Sequence, residues 1–321
     1  MLEGDKMRHL PVVLLVFPAL AFAGGATLLF PAIGHPSRVT LTGRVLKDTP
    51  TDGSSTLSKN MRRLLVTNWV DAPVEVRFAG QSMNVTSGHD GNFEAVFEAP
   101  ADQPFTLGML KAEARVPSAS TAVAAVEILA PSAAFFVISD FDDTIAVTEV
   151  LSRRRLIANS LMSDEKSQPV VKGMADFYGC LRENVGQPAF ALVSGSPLQF
   201  ASRVGTFLSN HRFPPMGLYL RDLGPNTLSD YKQPIIRSLL RAMPNPAVLV
   251  GDSGEHDPEV YRQINEEFPE RIRRIYIRNA GRSIDKKRFD GMFLFDEPKA
   301  AALDAVDAGL ASKECVARVF P

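Results

Sequence analysis

Six short apolar runs from residue 133 onward constrain the fold more than any other feature of the chain. They occupy residues 134–138, 189–193, 216–220, 247–250, 272–277 and 292–295. Helical patterns separate most of them, at residues 174–185, 197–208, 233–243 and 258–268. Short, fully apolar strands that alternate with helices are typical of a mostly parallel sheet with both faces covered. The sequence therefore predicts an α/β domain over residues 133–321.

The last part of this region, residues 298–320, has an amphipathic pattern. Leu303, Val306 and Leu310 recur at helical spacing. This spacing predicts one closing helix that covers the core, in preference to a helix that binds a membrane.

Residues 38–130 have a different pattern, with short alternating or β-branched runs between clusters of Gly, Pro, Asp and Ser. The runs lie at residues 39–45, 74–78, 83–86, 93–97 and 121–128, and residues 46–66 are predicted to form a long polar loop. His89, Asp90, Gly91 and Asn92 together predict a hairpin turn. The pattern is typical of a small antiparallel sandwich of the immunoglobulin or C2-like type. We therefore expect a separate small all-β domain before the α/β domain.

The first residues resemble a secretory signal peptide. Lys6 and Arg8 precede an apolar run at residues 10–20, and residues 21–23 read Ala-Phe-Ala before two glycines. This order predicts a signal peptide over residues 1–23 and an exported protein, whether periplasmic, secreted or membrane-anchored. The alternative is an uncleaved anchor that extends to about Ile33, because apolar residues resume after the glycines.

The overall composition limits the classes of partner. The formal net charge of −1 argues against a nucleic-acid-binding protein, which needs a broad basic excess. Cys180 and Cys315 lie far apart in sequence and match neither a zinc site nor a redox pair, so they are interpreted as core thiols. The sequence indicates no oligomeric state.

An acidic cluster follows the first apolar run directly. Asp140, Asp142 and Asp143 occupy three of four consecutive positions. Such carboxylates repel one another unless a cation lies among them. A metal ion with covalent phosphate chemistry accounts for them, since one carboxylate then acts as nucleophile and a second moves protons. The alternative is an acidic turn that caps the next helix.

Further polar residues follow later strands at the same relative position. Ser194 follows the second apolar run and Asp252 follows the fourth, and ligands of open α/β sheets bind at the carboxyl ends of strands. The Ser194 hydroxyl and nearby amides are suited to holding phosphoryl oxygens, although Ser196 is also a candidate helix cap.

The loop after the fourth run is both acidic and glycine-bounded. Asp252, Glu255 and Asp257 supply hard oxygen ligands suited to Mg²⁺, although Asp257 is also a candidate cap for the next helix. Lys232 is a candidate partner for a phosphate or for the aspartates, while the ordinary interpretation of a single lysine is an exposed one. His256 has no partner at metal-ligand spacing and is interpreted as a surface residue.

These motifs resemble, in order, the four motifs of the haloacid dehalogenase superfamily. The strings at residues 140–145, 194–197, 251–261 and 273–279 resemble more narrowly the actin-patch-type phosphatidate phosphatases. The resemblance covers residues 133–280 strongly and the β region weakly. Leu198 departs from the pattern, because an aromatic residue is expected there.

The resemblance implies a role for each motif residue. Asp140 would be the nucleophile, and Asp142 would be the acid and base and would also offer its backbone carbonyl to Mg²⁺. Asp252 and Asp257 would complete the metal site together with the Asp140 carboxylate. The phosphoryl group would be bound by Ser194, Gly195 and Lys232.

The resemblance also implies a Mg²⁺-dependent phosphatidate phosphatase that forms an aspartyl-phosphate. The alternatives are a phosphatase with the same mechanism on another phosphomonoester, and a non-catalytic exported binding protein. Residues 146–172 are too few for a large cap, which favours an open cleft and a phospholipid substrate at a membrane surface. Arg153, Arg154 and Arg155 in this segment are candidates for headgroup contact and peripheral membrane association.

Overall fold

A computed structural model describes residues 25–47, 67–147, 169–222, 228–280 and 285–321, without the side chains of residues 228–230. The predicted signal peptide, most of the predicted loop at 46–66 and the three arginines at 153–155 lie outside the described residues. No helix within the described ranges is long and apolar enough to cross a membrane.

The described part before residue 130 contains two sheets. Its strands, in chain order, are β1 (Ala26–Leu29), β2 (Ala32–Gly34), β3 (Arg38–Leu46), β4 (Pro73–Phe78), β5 (Gln81–Thr86), β6 (Asn92–Glu98), β7 (Gly108–Arg115) and β8 (Ala122–Ile128). One sheet has the order β1-β3-β6 and the other the order β2-β8-β7-β4-β5. All of their pairs are antiparallel except β2 with β8. Alternate apolar side chains of both sheets meet in one buried cluster that includes Leu41, Val76, Phe78 and Phe97.

Two details of this part differ from the sequence prediction. The strands begin at Ala26 and not near residue 38, so the apolar residues up to Ile33 form two strands and not the end of a membrane-spanning helix. Strand β7 was not predicted, because its sequence contains Lys111 and Glu113 and little β-branched character. It is recognisable only through its pairing with β4 and β8.

The predicted hairpin at residues 89–92 is wrong. The chain does turn there, with Gly91 at a φ of 77°, but β5 and β6 belong to different sheets. Strand β6 pairs with β3 along seven residue pairs, from Arg38 with Glu98 to Arg44 with Asn92. The turn therefore carries the chain from one sheet to the other, which local sequence does not distinguish from a hairpin.

The described part after residue 133 alternates strands and helices. Its strands are β9 (Phe136–Ser139), β10 (Phe190–Pro197), β11 (Met216–Arg221), β12 (Ala247–Asp252), β13 (Ile272–Arg278) and β14 (Phe293–Phe295). Its helices are α1 (Met174–Arg182), α2 (Ala201–Asn210), α3 (Leu228–Ala242), α4 (Asp257–Glu267), α5 (Pro298–Asp307) and α6 (Lys313–Val319). Short 3₁₀ helices lie at Leu198–Phe200, Pro269–Arg271 and Lys286–Phe289.

The six later strands form one parallel sheet with the order β11-β10-β9-β12-β13-β14. One face packs against apolar residues of α1, α2, α5 and α6, and the other packs against α3 and α4. The structure is thus compatible with the predicted α/β class. The sheet order also places β9 between β10 and β12, so the ends of these three strands are neighbours.

Two predictions for the C-terminal region are wrong. The predicted closing helix is two helices, α5 and α6, separated by a turn in which Gly309 has a φ of 69°. Cys180 of α1 and Cys315 of α6 are not thiols but a disulfide with Cα atoms 5.6 Å apart. The pairing depends on α6 folding back beside α1, which the separation of 135 residues does not reveal.

The N-terminal sheets contact the parallel sheet along its edge strand β11. The amide of Leu218 donates to the Pro31 carbonyl at 2.8 Å. Arg44 of β3 forms an ion pair of 2.9 Å with Asp222, which follows β11. Asn92 donates to the second oxygen of the same carboxylate at 2.9 Å. These contacts place the three-stranded sheet next to the end of β11.

Candidate active site

The carboxyl ends of β10, β9 and β12 bring the predicted motif residues together. Asp140 follows β9, and Ser194 and Asp252 lie at the ends of β10 and β12. All three side chains are buried. The apolar residues before them are buried on both faces of the sheet, so each strand delivers its polar residue to the same edge.

Lys232 of α3 is buried at this edge and is not the exposed lysine of the ordinary interpretation. Its Nζ atom donates to Asp140 Oδ1 at 2.9 Å and also to Asp257 Oδ1. Glu255 lies farther away, with an oxygen 3.8 Å from the same nitrogen. Burial alone would lower the pKa of Lys232, but Asp140 and Asp257 more than offset it and raise the pKa well above the usual value. The lysine is therefore a permanent cation between two aspartates.

Asp140, Asp252 and Asp257 form a group suited to a metal ion. One carboxylate oxygen of each lies within 4.8 Å of those of the others. Asp252 Oδ1 accepts from the amides of Gly254, at 2.5 Å, and Glu255, at 3.3 Å. Asp252 Oδ2 is buried and has no hydrogen-bond partner among the described residues. A buried carboxylate oxygen without a partner is unfavourable, and a coordinated cation would satisfy it.

The charges of this group also fit a divalent ion. Three buried carboxylates face one ammonium group, which leaves two negative charges when all of the groups are ionised. Burial raises the pKa of Asp140 to about 6, against the opposing effect of Lys232. Burial and the neighbouring aspartates raise the pKa of Asp252 well above its usual range, and burial also raises that of Asp257. A hard divalent cation with oxygen ligands would relieve this repulsion.

Asp142 lies beside the aspartate group at the mouth of the site and keeps some exposure. Its Oδ2 atom accepts from the Ser196 hydroxyl at 2.7 Å, while the Ser194 hydroxyl is 3.5 Å away. Burial among protein atoms and the charge of Asp140 raise the pKa of Asp142 to about 6. A carboxyl group with such a pKa exchanges protons readily near neutral pH, as a general acid and base must.

The helix-cap interpretations of Ser196 and Asp257 are wrong. The Ser196 hydroxyl donates to Asp142, and the 3₁₀ helix that starts at Leu198 has no side-chain cap. Asp257 is the first residue of α4, but its carboxylate contacts Lys232 and the amide of Asp252, at 3.3 Å for the latter. The Ser196 side chain therefore points to Asp142, and the Asp257 side chain points to Lys232 and Asp252.

The turn after β9 is held by hydrogen bonds on several sides. The Thr144 hydroxyl donates to Asp140 Oδ2 at 3.1 Å. The Ser139 hydroxyl donates to the Asp140 carbonyl at 2.6 Å and shares a 2.7 Å hydrogen bond with Tyr178. Arg278 donates to the Asp143 carbonyl at 2.5 Å. The sequence analysis missed Tyr178, whose only signal is its placement on α1, and it noted Arg278 only within the string at residues 273–279.

The loop between β12 and α4 is held from outside by Arg288. Its guanidinium donates to the carbonyls of Ser253, at 2.5 Å, and Glu255. Gly251 has a separate role, because a Cβ atom there would collide with the Asp257 carboxylate. No signal in the sequence connects Arg288 with this loop.

The remaining predicted residues lie at the border of the site. Gly195 is half-buried between Ser194 and Ser196 in the last part of β10. Leu198, where an aromatic residue was expected, is buried. The His256 side chain is 53% exposed, which fits its interpretation as a surface residue.

Fold and site together define the later part of the chain as an α/β domain with a buried acidic centre at the carboxyl edge of a parallel sheet. Residues 135–279 match the family model described as "Phosphatidate phosphatase APP1, catalytic domain". Through this region the chain is similar to the APP1-type phosphatidate phosphatases. All of the motif residues described above lie inside the matched range.

Two curated relatives match the same part of the chain. The phosphatidate phosphatase APP1 of Saccharomyces cerevisiae is 33% identical over 155 residues, which is 46% of this chain and 26% of the yeast protein. An uncharacterized protein of Schizosaccharomyces pombe is 30% identical over 153 residues, which is 45% of this chain and 25% of that protein. The chain thus spans about a quarter of the length of these relatives.

Two solved structures share less sequence identity with this chain than the two curated relatives do. A chain of the Pnkp1/Rnl/Hen1 complex aligns with a TM-score of 0.37 and 14% identity, over 48% of this chain and 49% of that chain. A carbohydrate acetylesterase from Xanthomonas citri aligns with a TM-score of 0.33 and 12% identity, over 77% and 57% of the two chains. Neither alignment is close enough to support an argument about function.

Proposed function

We propose that this protein is a Mg²⁺-dependent phosphatidate phosphatase that releases diacylglycerol and phosphate through an aspartyl-phosphate intermediate. One observation carries the proposal: the buried group of Asp140, Asp252, Asp257 and Lys232, inside the region that matches the phosphatidate phosphatase catalytic domain. The proposal includes a haloacid dehalogenase-type core, in which Asp140 after β9 would be the nucleophile.

Mg²⁺ would be held by the carboxylates of Asp140, Asp252 and Asp257 and by the Asp142 carbonyl, where it would neutralise phosphoryl charge. Lys232, Ser194 and Gly195 would bind the phosphoryl oxygens. Because Lys232 already donates to Asp140, a phosphate placed against the nucleophile would lie within reach of the ammonium group. A fixed cation at this position disperses the charge of the transition state.

The chemistry would proceed in two displacements at phosphorus. Asp140 attacks phosphorus, a carboxylate oxygen–phosphorus bond forms, and the bond to the lipid oxygen breaks while Asp142 gives that oxygen a proton. Asp142, now ionised, takes a proton from a water molecule that attacks the phosphorus and breaks the bond to Asp140. Phosphate leaves and Asp142 is again protonated. The Ser196 hydrogen bond keeps Asp142 oriented for both steps.

The candidate site fits two alternative functions to different degrees. A phosphatase of the same mechanism on another phosphomonoester would use the same residues, because the central aspartates would act on the phosphoryl group and not on the rest of the ester. A non-catalytic exported binding protein would explain a buried phosphate site but not Asp142, whose raised pKa suits proton transfer. Catalysis therefore accounts for more of the site than binding alone.

The proposal includes export and two separate domains. The first is a sandwich, predicted at residues 38–130, whose strands begin at Ala26, and the second is a phosphatase domain at residues 133–321. The disulfide between Cys180 and Cys315 supports export, because structural disulfides persist in oxidising compartments. The expected product of secretion in a bacterial host is a chain without residues 1–23 and without reactive thiols, as measured by intact mass before and after alkylation. A reduced, unprocessed chain would contradict the proposed localisation.

The test of function is a substrate panel with purified protein. Phosphatidate in detergent micelles, lysophosphatidate, glycerol phosphate and p-nitrophenyl phosphate are compared in Mg²⁺ and in EDTA. The expected result is phosphate release that requires Mg²⁺, is fastest on phosphatidate and is lost in Asp140→Asn. The exposed Asp176→Asn substitution is the matched control. Turnover that survives Asp140→Asn would exclude the covalent mechanism, and a clear preference for a soluble ester would favour the first alternative.

A further inference from the structure

A cavity of about 430 Å³ lies beside the candidate active site, between the two parts of the molecule. One wall is the three-stranded sheet, with Phe30, Thr42 and Phe93. The opposite wall is the edge strand β11 and helix α3, with Leu218 and Ile235. The volume falls within the range of about 300–1,000 Å³ that is usual for small-molecule pockets. The cavity exists only because the two parts pack together.

The cavity borders the phosphoryl site through the chain itself. Leu198, which lines it, is two residues after Ser196, the partner of Asp142. Tyr231, also in the lining, directly precedes Lys232 on α3. Leu220, a third lining residue, is the ladder partner of Ser194. Three separate elements thus connect the candidate active site with the cavity.

The charges around the cavity argue against a second phosphate. Among the described residues that line it, the charged ones are Asp90, Glu94 and Asp222, and none is a lysine or an arginine. The nearby Arg44 is already paired with Asp222 at 2.9 Å. An anion in the cavity would meet acidic groups and no available cation among these lining residues. A neutral, apolar group would meet aromatic and aliphatic side chains.

From this geometry we infer that the cavity binds one acyl chain of a phosphate-bearing glycerolipid while the phosphate occupies the aspartate site. The inference rests on the proposed function, and it names the part of the substrate that the enzyme selects. It also gives the N-terminal sheets a role, because Phe30, Thr42 and Phe93 form half of the acyl-binding wall. The enzyme would then discriminate between acyl chains of different length by the apolar surface that the cavity buries.

Substitutions that fill the cavity test this inference. Thr42→Trp fills it from the β-sheet wall and Ile235→Trp fills it from α3, and both residues are half-buried. Val123→Trp adds the same side chain to an exposed position that is 50% accessible and outside the cavity. Initial rates are measured on dioleoyl phosphatidate in Triton micelles and on p-nitrophenyl phosphate, and thermal unfolding checks that each variant folds.

Each filling substitution should lower kcat/KM on dioleoyl phosphatidate at least tenfold and change the rate on p-nitrophenyl phosphate less than twofold. The Val123→Trp control should change neither rate. Equal loss on the two substrates in both filling variants, or no loss on the lipid, would overturn the inference.

A binding measurement separates this inference from the proposed function. Asp140→Asn protein is titrated with diacylglycerol that carries a fluorescent acyl chain, and the titration is repeated in Asp140→Asn combined with Thr42→Trp. Binding that weakens at least tenfold on filling supports the acyl pocket even when the wild type hydrolyses no phosphate ester, a result that would defeat only the proposed function. Unchanged binding overturns the pocket whatever the phosphatase assay shows.

Discussion

The carboxyl edge of the parallel sheet and the N-terminal sheets differ in the kind of side chain that they bury. The carboxyl edge of the parallel sheet buries Asp140, Asp252, Asp257 and Lys232 close together. The N-terminal sheets bury alternate apolar residues such as Phe78 and direct most of their charged residues to solvent, with Arg44 and Glu127 as buried exceptions. Buried charges raise the free energy of the folded state unless they are paired, whereas apolar burial lowers it. The buried charges of the first region lower its stability in exchange for the proposed chemistry. The second region supplies stability and, in our inference, a wall for the acyl chain.

The largest expected effect comes from removing the buried cation. Lys232→Met leaves three buried carboxylates without an ammonium partner, so the free energy of unfolding in EDTA should fall by about 3–5 kcal/mol. Activity should fall at least about 100-fold, because the charge-dispersing group is lost. Urea unfolding and phosphate-release assays measure the two effects, with the exposed Lys313→Met as control. A folded, fully active Lys232→Met protein would remove the contrast between the two regions.

A core truncation in the N-terminal sheets should affect stability alone. The Phe78 ring lies 5.7 Å from that of Phe97 and 5.0 Å from that of Phe105, measured between ring centres. Phe78→Ala should therefore lower the unfolding free energy by about 3–5 kcal/mol through the cavity that it leaves. The rate on p-nitrophenyl phosphate per folded molecule should not change. Leu107→Ala, at a position 52% exposed, is the control and should change neither quantity.

Metal binding should stabilise the acidic centre specifically. Mg²⁺ at about 100 times its dissociation constant should raise the unfolding free energy by about 2.7 kcal/mol, because the ion binds only the folded site. Asp252→Asn should abolish most of this increase, since Asp252 Oδ2 is the buried oxygen without a partner. Thermal melts with and without Mg²⁺ measure the effect. An equal Mg²⁺ shift in wild type and Asp252→Asn would place the ion elsewhere.

The smallest expected effect is a pH dependence from Asp142. The pKa of this carboxyl is about 6 in the folded protein and 3.8 ordinarily, so the folded state holds the proton more tightly. The stability that this bound proton contributes is present below about pH 4 and is lost as the pH rises through about 6. In EDTA, the unfolding free energy of Asp142→Asn should rise by about 1–2 kcal/mol relative to that of wild type between pH 4 and pH 7. This range is reduced for solvent screening at the mouth of the site. A difference that stays constant with pH would argue against the raised pKa.

The site could be predicted from sequence because its residues follow strands directly. Once an apolar run is assigned to a parallel strand, the next polar residue must lie at the carboxyl edge, as Asp140, Ser194 and Asp252 do. Ser196 and Asp257 were ambiguous, because a cap and a site residue have the same local sequence. Their contacts with Asp142 and Lys232 involve residues at least 25 positions apart.

Other features depend on which segments pack together. The disulfide of Cys180 with Cys315 requires α6 to lie beside α1, and strand β7 is defined only by its two neighbours. The turn at Gly91 joins two sheets because β6 pairs with β3, a choice made by distant residues. Likewise, no single segment contains the cavity between Thr42 and Ile235.

The sequence alone determined the alternation of apolar strands with helices and the polar residue at each strand end, because side-chain period and burial are local properties of a strand. Tertiary structure decided that Lys232 lies between two aspartates, that Asp252 retains an oxygen without a partner among the described residues, and that an apolar cavity adjoins them. The reason is physical. Charge pairing and cavity shape depend on distances between residues far apart in the chain, and those distances exist only after the sheets have packed.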